Sequence, residues 1–210
     1  MQGALAYIGV FVVSFLLGSV PWGLVISKVF YNKDLRNEGS GNIGTTNAIR
    51  ALGKIGGYGV FVLDFAKGLL SGFLATTFAS MLGMDVHGTQ IMQMLAFAGC
   101  IWGHVFSPWL GFKGGKGIAV AVGCLFTTFG PLTAWLELAL FAVLVVATKY
   151  VSVGSIAAAA INPVFALVVY WGNPVAIAFA WAAAITIVWA HRGNIQRLRS
   201  GTESKIGKKK

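Results

Sequence analysis

Charge is what this chain has least of. Only 10% of its 210 residues are Asp, Glu, Lys or Arg, while 57% are hydrophobic; a typical soluble domain has roughly 25% charged residues. That shortage excludes an ordinary water-soluble globule and leaves a polytopic membrane protein. Strict apolar/polar alternation is also missing, so the uninterrupted apolar runs read as helical spans and not as strands of a barrel. Cysteine is scarce: the two present, Cys100 and Cys124, fall inside apolar runs and are expected as buried, unreactive thiols. The three histidines are scattered, and no Cys/His cluster has zinc spacing, so no metal is expected. The formal net charge of +10 has neither a soluble basic face nor an aromatic platform to present to nucleic acid. Orientation in the membrane and attraction of anionic membrane lipids, chiefly by Lys208-Lys209-Lys210, account for it. The N-terminal run lacks a basic leader and a small-residue cleavage site, which predicts a retained first span and no removed signal peptide.

Seven spans are predicted, at Ala4–Val29, Gly57–Ser80, Thr89–Phe106, Ile118–Phe129, Leu132–Thr148, Ser152–Trp171 and Pro174–Ala190. Ile118–Phe129 is short for a crossing at about 1.5 Å per residue. Gly130-Pro131 nevertheless opposes fusing it with the next run, because proline breaks a helix interior. Charge decides the count. With the N-terminus outside, the loops bearing Lys33, Arg36, Arg50 and Lys54, then Lys113 and Lys116, then Lys149 all face the cytoplasm, together with the tail from His191 onward. The opposite loops, Met81–Gly88, Gly130-Pro131 and Gly172-Asn173, hold no lysine or arginine. Fusion would scramble that segregation. The expected fold is therefore an all-α integral membrane protein of seven transmembrane helices. It forms one domain over residues 1–210, ending in a basic cytoplasmic segment, 191–210.

Polar residues gather on the cytoplasmic side. The core of the first loop, Gly39-Ser-Gly-Asn-Ile-Gly-Thr-Thr-Asn47, is dense in hydroxyls, amides and backbone donors; it either caps a helix running toward Arg50 or binds an anion. The second loop, Gly111-Phe-Lys-Gly-Gly-Lys-Gly117, only superficially resembles a nucleotide-binding P-loop. Leu110 and Gly117 stand where that pattern needs Gly and Ser or Thr, which disfavours ATP hydrolysis. A helix starting at Gly117 or Ile118 would aim its positive end at whatever Lys116 holds. Ser152 opens the sixth span, and His191-Arg-Gly-Asn194 follows the seventh. Helix capping and helix exit are the ordinary explanations for these two, yet two glycine-rich, cation-bearing loops on one face favour a phosphate site. Asp64 and Lys67, at i and i+3, can form an ion pair that is either structural or functional. Glu137 has no partner legible in the sequence.

Three segments, Gly18-Ser-Val-Pro-Trp-Gly23 with the Ser40 loop, Gly103-His104 through Gly117, and His191-Arg-Gly-Asn194, closely resemble the motifs of the bacterial acyl-phosphate:glycerol-3-phosphate acyltransferase (PlsY) family. The resemblance covers essentially the whole chain. It implies an inner-membrane enzyme that needs no cofactor and uses acyl phosphate and glycerol 3-phosphate to make lysophosphatidic acid. It also leaves open a contact with the enzyme that makes acyl phosphate. By the same resemblance Ser40, Arg50, Lys116 and Ser152 hold the acceptor's phosphate, and His191 and Asn194 approach its glycerol portion. The backbone of Gly41, Asn42, Gly44, Thr46 and Asn47 and of Gly114, Gly115 and Gly117 cradles the acyl-phosphate head, with His104 and Lys113 in the same motif. Departures from the family pattern are Thr45 for a usual alanine, Val120 for a frequent threonine, and the stretch Ser107-Pro108-Trp109. A transporter of an organophosphate or other anion is the alternative from another class, since a helix-terminus anion site serves it equally well. A membrane scaffold without chemistry leaves both glycine–lysine loops unexplained.

Overall fold

The computed structural model describes residues 2–207, so the lysine triplet expected at the lipid surface lies outside the described residues. Among the described residues there is no strand. The helices are α1 (Gln2–Ser19), α2 (Trp22–Tyr31), α3 (Thr45–Met81), α4 (Val86–Val105), α5 (Ile118–Thr128), α6 (Pro131–Thr148), α7 (Val151–Val169), α8 (Pro174–Ala190) and α9 (Arg192–Arg199). Their outer faces are apolar: Leu5, Ile8, Val143, Val146, Val168 and Ile185 are 61% to 73% exposed. Asp64, Lys67, His104, Glu137 and Asn162 are buried instead. That inversion is the pattern of a chain whose outer solvent is lipid.

Five stretches are long and apolar enough to cross a membrane, and a sixth counts if α8 and α9, bent by 50° at His191, are taken together. The seventh expected crossing is α5, which has 11 residues, about 16 Å of helix against about 30 Å of hydrocarbon.

The expected first span, Ala4–Val29, is not continuous. Pro21 has no N–H and its ring clashes with the preceding turn, so α1 stops at Ser19 and α2 starts at Trp22. Two carbonyls freed by the break find donors from α3 and from the loop after α4. Ser107 Oγ donates to the Ser19 carbonyl (2.7 Å), and Lys67 Nζ donates to that of Val20 (2.8 Å). Lys67 Nζ also lies 2.8 Å from Asp64 Oδ1 and 3.0 Å from His104 Nδ1. The ammonium has two hydrogen-bond partners, the Val20 carbonyl and His104 Nδ1, and an ion-pair partner in Asp64. The Asp64–Lys67 pair thus closes an intramembrane helix break. Two of the chain's departures from the family pattern, Ser107 and Trp109, serve the same corner, for Trp109 Nε1 donates to Ser19 Oγ (2.9 Å).

α4 lies at the centre, with α1, α3, α5 and α8 packed around it. Glycines four residues apart set the closest approaches, as small residues do where lipid supplies no hydrophobic drive between helices. A Cβ on Gly99 or Gly103 of α4 would run into the Phe11 or Phe15 carbonyl of α1, and one on Gly18 into that of Cys100. Gly68 of α3 meets the Val120 carbonyl of α5 in the same way, and Gly72 meets the side chains of Thr127 and Thr128. Cys100 and Cys124 are buried and free. The second expected span begins early, because α3 runs from Thr45 and is broken at Gly53 (φ 82°), a conformation that glycine adopts without penalty. The break separates a short surface turn carrying Arg50 from the membrane-crossing part.

Candidate active site

The Ser40 loop is organised by Asn47. Its Nδ2 donates toward the carbonyls of Leu35, Glu38 and Asn42 (3.1, 2.9 and 2.8 Å), and its Oδ1 accepts from Ser40 N (3.0 Å). Asn42 Oδ1 accepts from Gly44 N (2.9 Å). Asn47 and Asn42 therefore spend side-chain capacity on the loop itself. Gly23 of the first motif lets α2 lie directly on the loop, since a Cβ there would strike the Ile43 carbonyl.

The lysine loop folds back onto α4. Gly114 N donates to the Val105 carbonyl (2.9 Å) and Gly115 N to that of His104 (3.0 Å). These amides, which the family resemblance assigns to the acyl-phosphate head, are thus already taken by the end of α4. Neither glycine could carry a Cβ, because each lies against the His104 backbone or ring. The two residues place Lys116 and the start of α5 close to α4.

Both loops, the start of α7 and the α8–α9 bend enclose one cavity of about 490 Å³. Ser40, Asn42, Gly44, Thr46, Asn47, Arg50, His104, Lys116, Gly117, Ser152, His191 and Asn194 line it. Among the expected site residues, Gly41, Lys113, Gly114 and Gly115 are not in its walls; Lys113 is exposed. Three helix N-termini open into the cavity through Thr45 and Thr46 of α3, Ile118 of α5, and Val151 and Ser152 of α7. No side chain caps them at Gly44, Gly117 or Tyr150. Uncapped first-turn amides and the positive helix ends make such a place attractive to an anion. Thr45, the departure from the family's alanine, adds a buried hydroxyl without a hydrogen-bond partner.

Cations reinforce that field. Burial, followed by Arg197 and Arg50 nearby, lowers the Lys116 amine to about 8, with Glu203 opposing. The His191 ring is pushed down to about 4, chiefly by burial. Its Nδ1–H donates to the Ile187 carbonyl (2.8 Å), leaving Nε2 of the neutral ring as an acceptor.

Glu203 was not foreseen from the sequence, although it is the single carboxylate in the basic stretch 191–210. A turn after α9 brings it back, anchored by Ile206 N donating to the Lys149 carbonyl (2.8 Å). Its carboxylate accepts from Ser152 Oγ (2.9 Å), Asn194 Nδ2 (2.7 Å) and Arg197 Nε (2.7 Å). Burial pushes the Glu203 carboxyl up, but the bonds from Asn194, Arg197 and Ser152 outweigh it and hold the group below its ordinary value. The basic tail is therefore part of the site wall. Ser152 and Asn194, expected on the substrate, are tied to Glu203 in this structure.

The fold and this cavity define an all-helical, multi-pass membrane protein with a chamber at the ends of its helices lined by Arg50, Lys116 and Arg197. The glycerol-3-phosphate acyltransferase family model matches residues 8–201, and the chain belongs to that family. A glycerol-3-phosphate acyltransferase of Rhodopseudomonas palustris (strain BisB5) is 38% identical over 97% of this chain and 98% of its own length. One from Trichlorobacter lovleyi is 42% identical over 92% and 94%. Among solved structures, the glycerol 3-phosphate form of PlsY, described as an integral membrane glycerol 3-phosphate acyltransferase, superposes with a TM-score of 0.82 at 36% identity, covering 96% of both chains. Its lysophosphatidic acid form gives 0.80 at 33% identity.

Proposed function

We propose that this protein transfers a fatty acyl group from acyl phosphate to glycerol 3-phosphate, giving lysophosphatidic acid and inorganic phosphate, at the cytoplasmic face of a bacterial inner membrane. The observation that carries the reading is the meeting of three uncapped helix N-termini with Arg50, Lys116 and Arg197 on one cavity. The names of the relatives, and the glycerol 3-phosphate and lysophosphatidic acid forms of the structural neighbour, support it.

Acyl phosphate is a mixed anhydride with an activated carbonyl and a ready leaving group. The protein's task is then to bring two mutually repelling anions together. At an effective dielectric constant of about 20, unit charges about 4 Å apart repel by about 4 kcal/mol, which the cations and helix ends offset. In this reading Ser40, Arg50, Lys116 and Ser152 hold the acceptor's phosphate, while Asn194 and His191 Nε2 orient the hydroxyl. The hydroxyl oxygen attacks the acyl carbon, the carbon–oxygen bond to phosphate breaks, and the hydroxyl proton passes to a phosphate oxygen. A ring held at about 4 is a weak base at neutral pH, whereas phosphate esters titrate near pH 6. This supports the substrate's own phosphate as proton acceptor. The acyl chain enters from the membrane into an apolar cavity of about 100 Å³ that shares Phe61, Ile118 and Phe141 with the anion chamber. Seven crossings with the N-terminus outside match the one-sided lysines and arginines.

Purified protein given labelled glycerol 3-phosphate tests the reading. Lysophosphatidic acid is expected from palmitoyl phosphate and none from palmitoyl-CoA. Uptake of label into vesicles without product would point to a transporter instead.

A further inference from the structure

The reaction proposed above places Arg50 and Lys116 on the acceptor and gives the third cation of the chamber, Arg197, no ligand. Asn194 and Arg197, at i and i+3 on α9, share one face of that helix, and both line the chamber. The other arginines of α9, Arg192 and Arg199, are exposed outside its walls. Arg197 Nε donates to Glu203 Oε2 (2.7 Å), while Glu203 Oε1 accepts from Ser152 Oγ and Asn194 Nδ2. One carboxylate thus ties the guanidinium to two residues that the reading puts on glycerol 3-phosphate. The bond takes one of five guanidinium N–H groups and leaves the four on the two Nη nitrogens for a further acceptor.

Charge adds to the geometry. After burial, Arg197 is the strongest influence lowering the Lys116 amine, so the two cations act on one region. The chamber walls carry Arg50, Lys116 and Arg197 against Glu203, with Asp64 offset by Lys67, and positive charge therefore exceeds negative by two. Like charges held together repel, and a phosphate monoester, with a charge of about −1.5 to −2, offsets that excess. A guanidinium fork matches two oxygens of such a group, which an ammonium does not. We propose that Arg197 is a further cation on the acceptor's phosphate, gripping it through its Nη groups beside Lys116, and that Glu203 is the positioning residue that holds the guanidinium there. The proposal rests on the acyltransferase reading and deepens it.

The test measures KM separately for glycerol 3-phosphate and for palmitoyl phosphate. Arg197→Gln is expected to raise the first about tenfold and to leave the second within about twofold. Arg197→Lys keeps the charge without the fork and should recover part of the loss. Arg199→Gln removes the same charge from an exposed position of α9 and should leave both KM values within about twofold. Arg197→Gln should also let Lys116 hold its proton to higher pH, so that the loss of glycerol 3-phosphate affinity on the alkaline side begins at higher pH than in the parent. If Arg197→Gln does not accumulate, Arg197→Lys alone should still raise the KM for glycerol 3-phosphate about threefold or more. An unchanged KM for glycerol 3-phosphate, an equal rise for both substrates or a rise confined to palmitoyl phosphate overturns the assignment. Absence of product with the parent protein would instead sink the underlying reading, so the two failures are distinguishable.

Discussion

Two lysines three residues apart have different surroundings. Lys116 is half-buried in the wall of the anion chamber, while Lys113 is exposed outside it. Charge-assisted contacts contribute about 1.5–3 kcal/mol. Lys116→Ala should therefore cost roughly ten- to hundredfold in kcat/KM for glycerol 3-phosphate, and Lys113→Ala less than about threefold; steady-state assays of the two variants check this. Equal losses would mean that both lysines serve the substrate. The amine's lowered value, about 8, adds a pH dependence. Below that value the free enzyme carries the charge, and as pH rises through it the charge and its contribution to binding are lost. The KM for glycerol 3-phosphate should accordingly rise above pH 8. In Lys116→Arg, whose guanidinium stays charged, that alkaline rise should disappear even if overall affinity falls. Much of this wall was legible in the sequence, because Ser40, Lys116, His191 and Asn194 stand in short polar runs between apolar ones. Glu203 was not, because nothing local in a basic tail tells where a turn will return it.

At the scale of elements, the first helix is held together across its break by side chains from α3 and the loop after α4. Removing one partner of a buried pair leaves an uncompensated charge, which costs about 3–5 kcal/mol. Lys67→Met should therefore lower the thermal midpoint in detergent well below the parent's. Asp64→Asn combined with Lys67→Met should recover part of the loss, since no charge is then stranded. If the double variant is no more stable than the single, the charge pair is not what closes the break. The C-terminal turn offers a second comparison. Glu203→Ala frees Ser152, Asn194 and Arg197 together, so it should lower kcat/KM about tenfold or more. Limited proteolysis should then cut near Gly201 faster than in the parent. Lost activity with unchanged cleavage would assign Glu203 to the substrate instead of to tail docking.

For the whole molecule, the proposed orientation puts the Met81–Gly88 loop and the tail on opposite sides of the membrane. In a version lacking Cys100 and Cys124, Val86→Cys, at an exposed position, should label from the periplasmic side and Ser200→Cys only after the membrane is opened. Labelling of both from outside would refute seven crossings. The count rests on α5, whose 11 residues are too few to span ordinary hydrocarbon alone. The lysine loop ahead of it turns back toward α4 through Gly114 and Gly115, and Gly130-Pro131 follows its far end. A short helix between two such turns needs the protein around it, and it has that on α3 and α4.

Composition alone determined that this chain lives in lipid, and the period and placement of its apolar runs and glycines determined that it is helical. Those properties are summed over many residues, and the solvent acts on each run separately. The Ser40 and Lys116 loops were legible for a related reason, since glycine and cations are costly beside hydrocarbon unless something requires them. Only the tertiary structure decided that Pro21 divides the first span and that Lys67 and Ser107 repair it. It alone decided that Gly114 and Gly115 serve α4, that Glu203 closes the chamber and that Glu137 meets Asn162. Each of these is a contact between residues far apart in the chain, and its energy depends on helix packing that no local window contains.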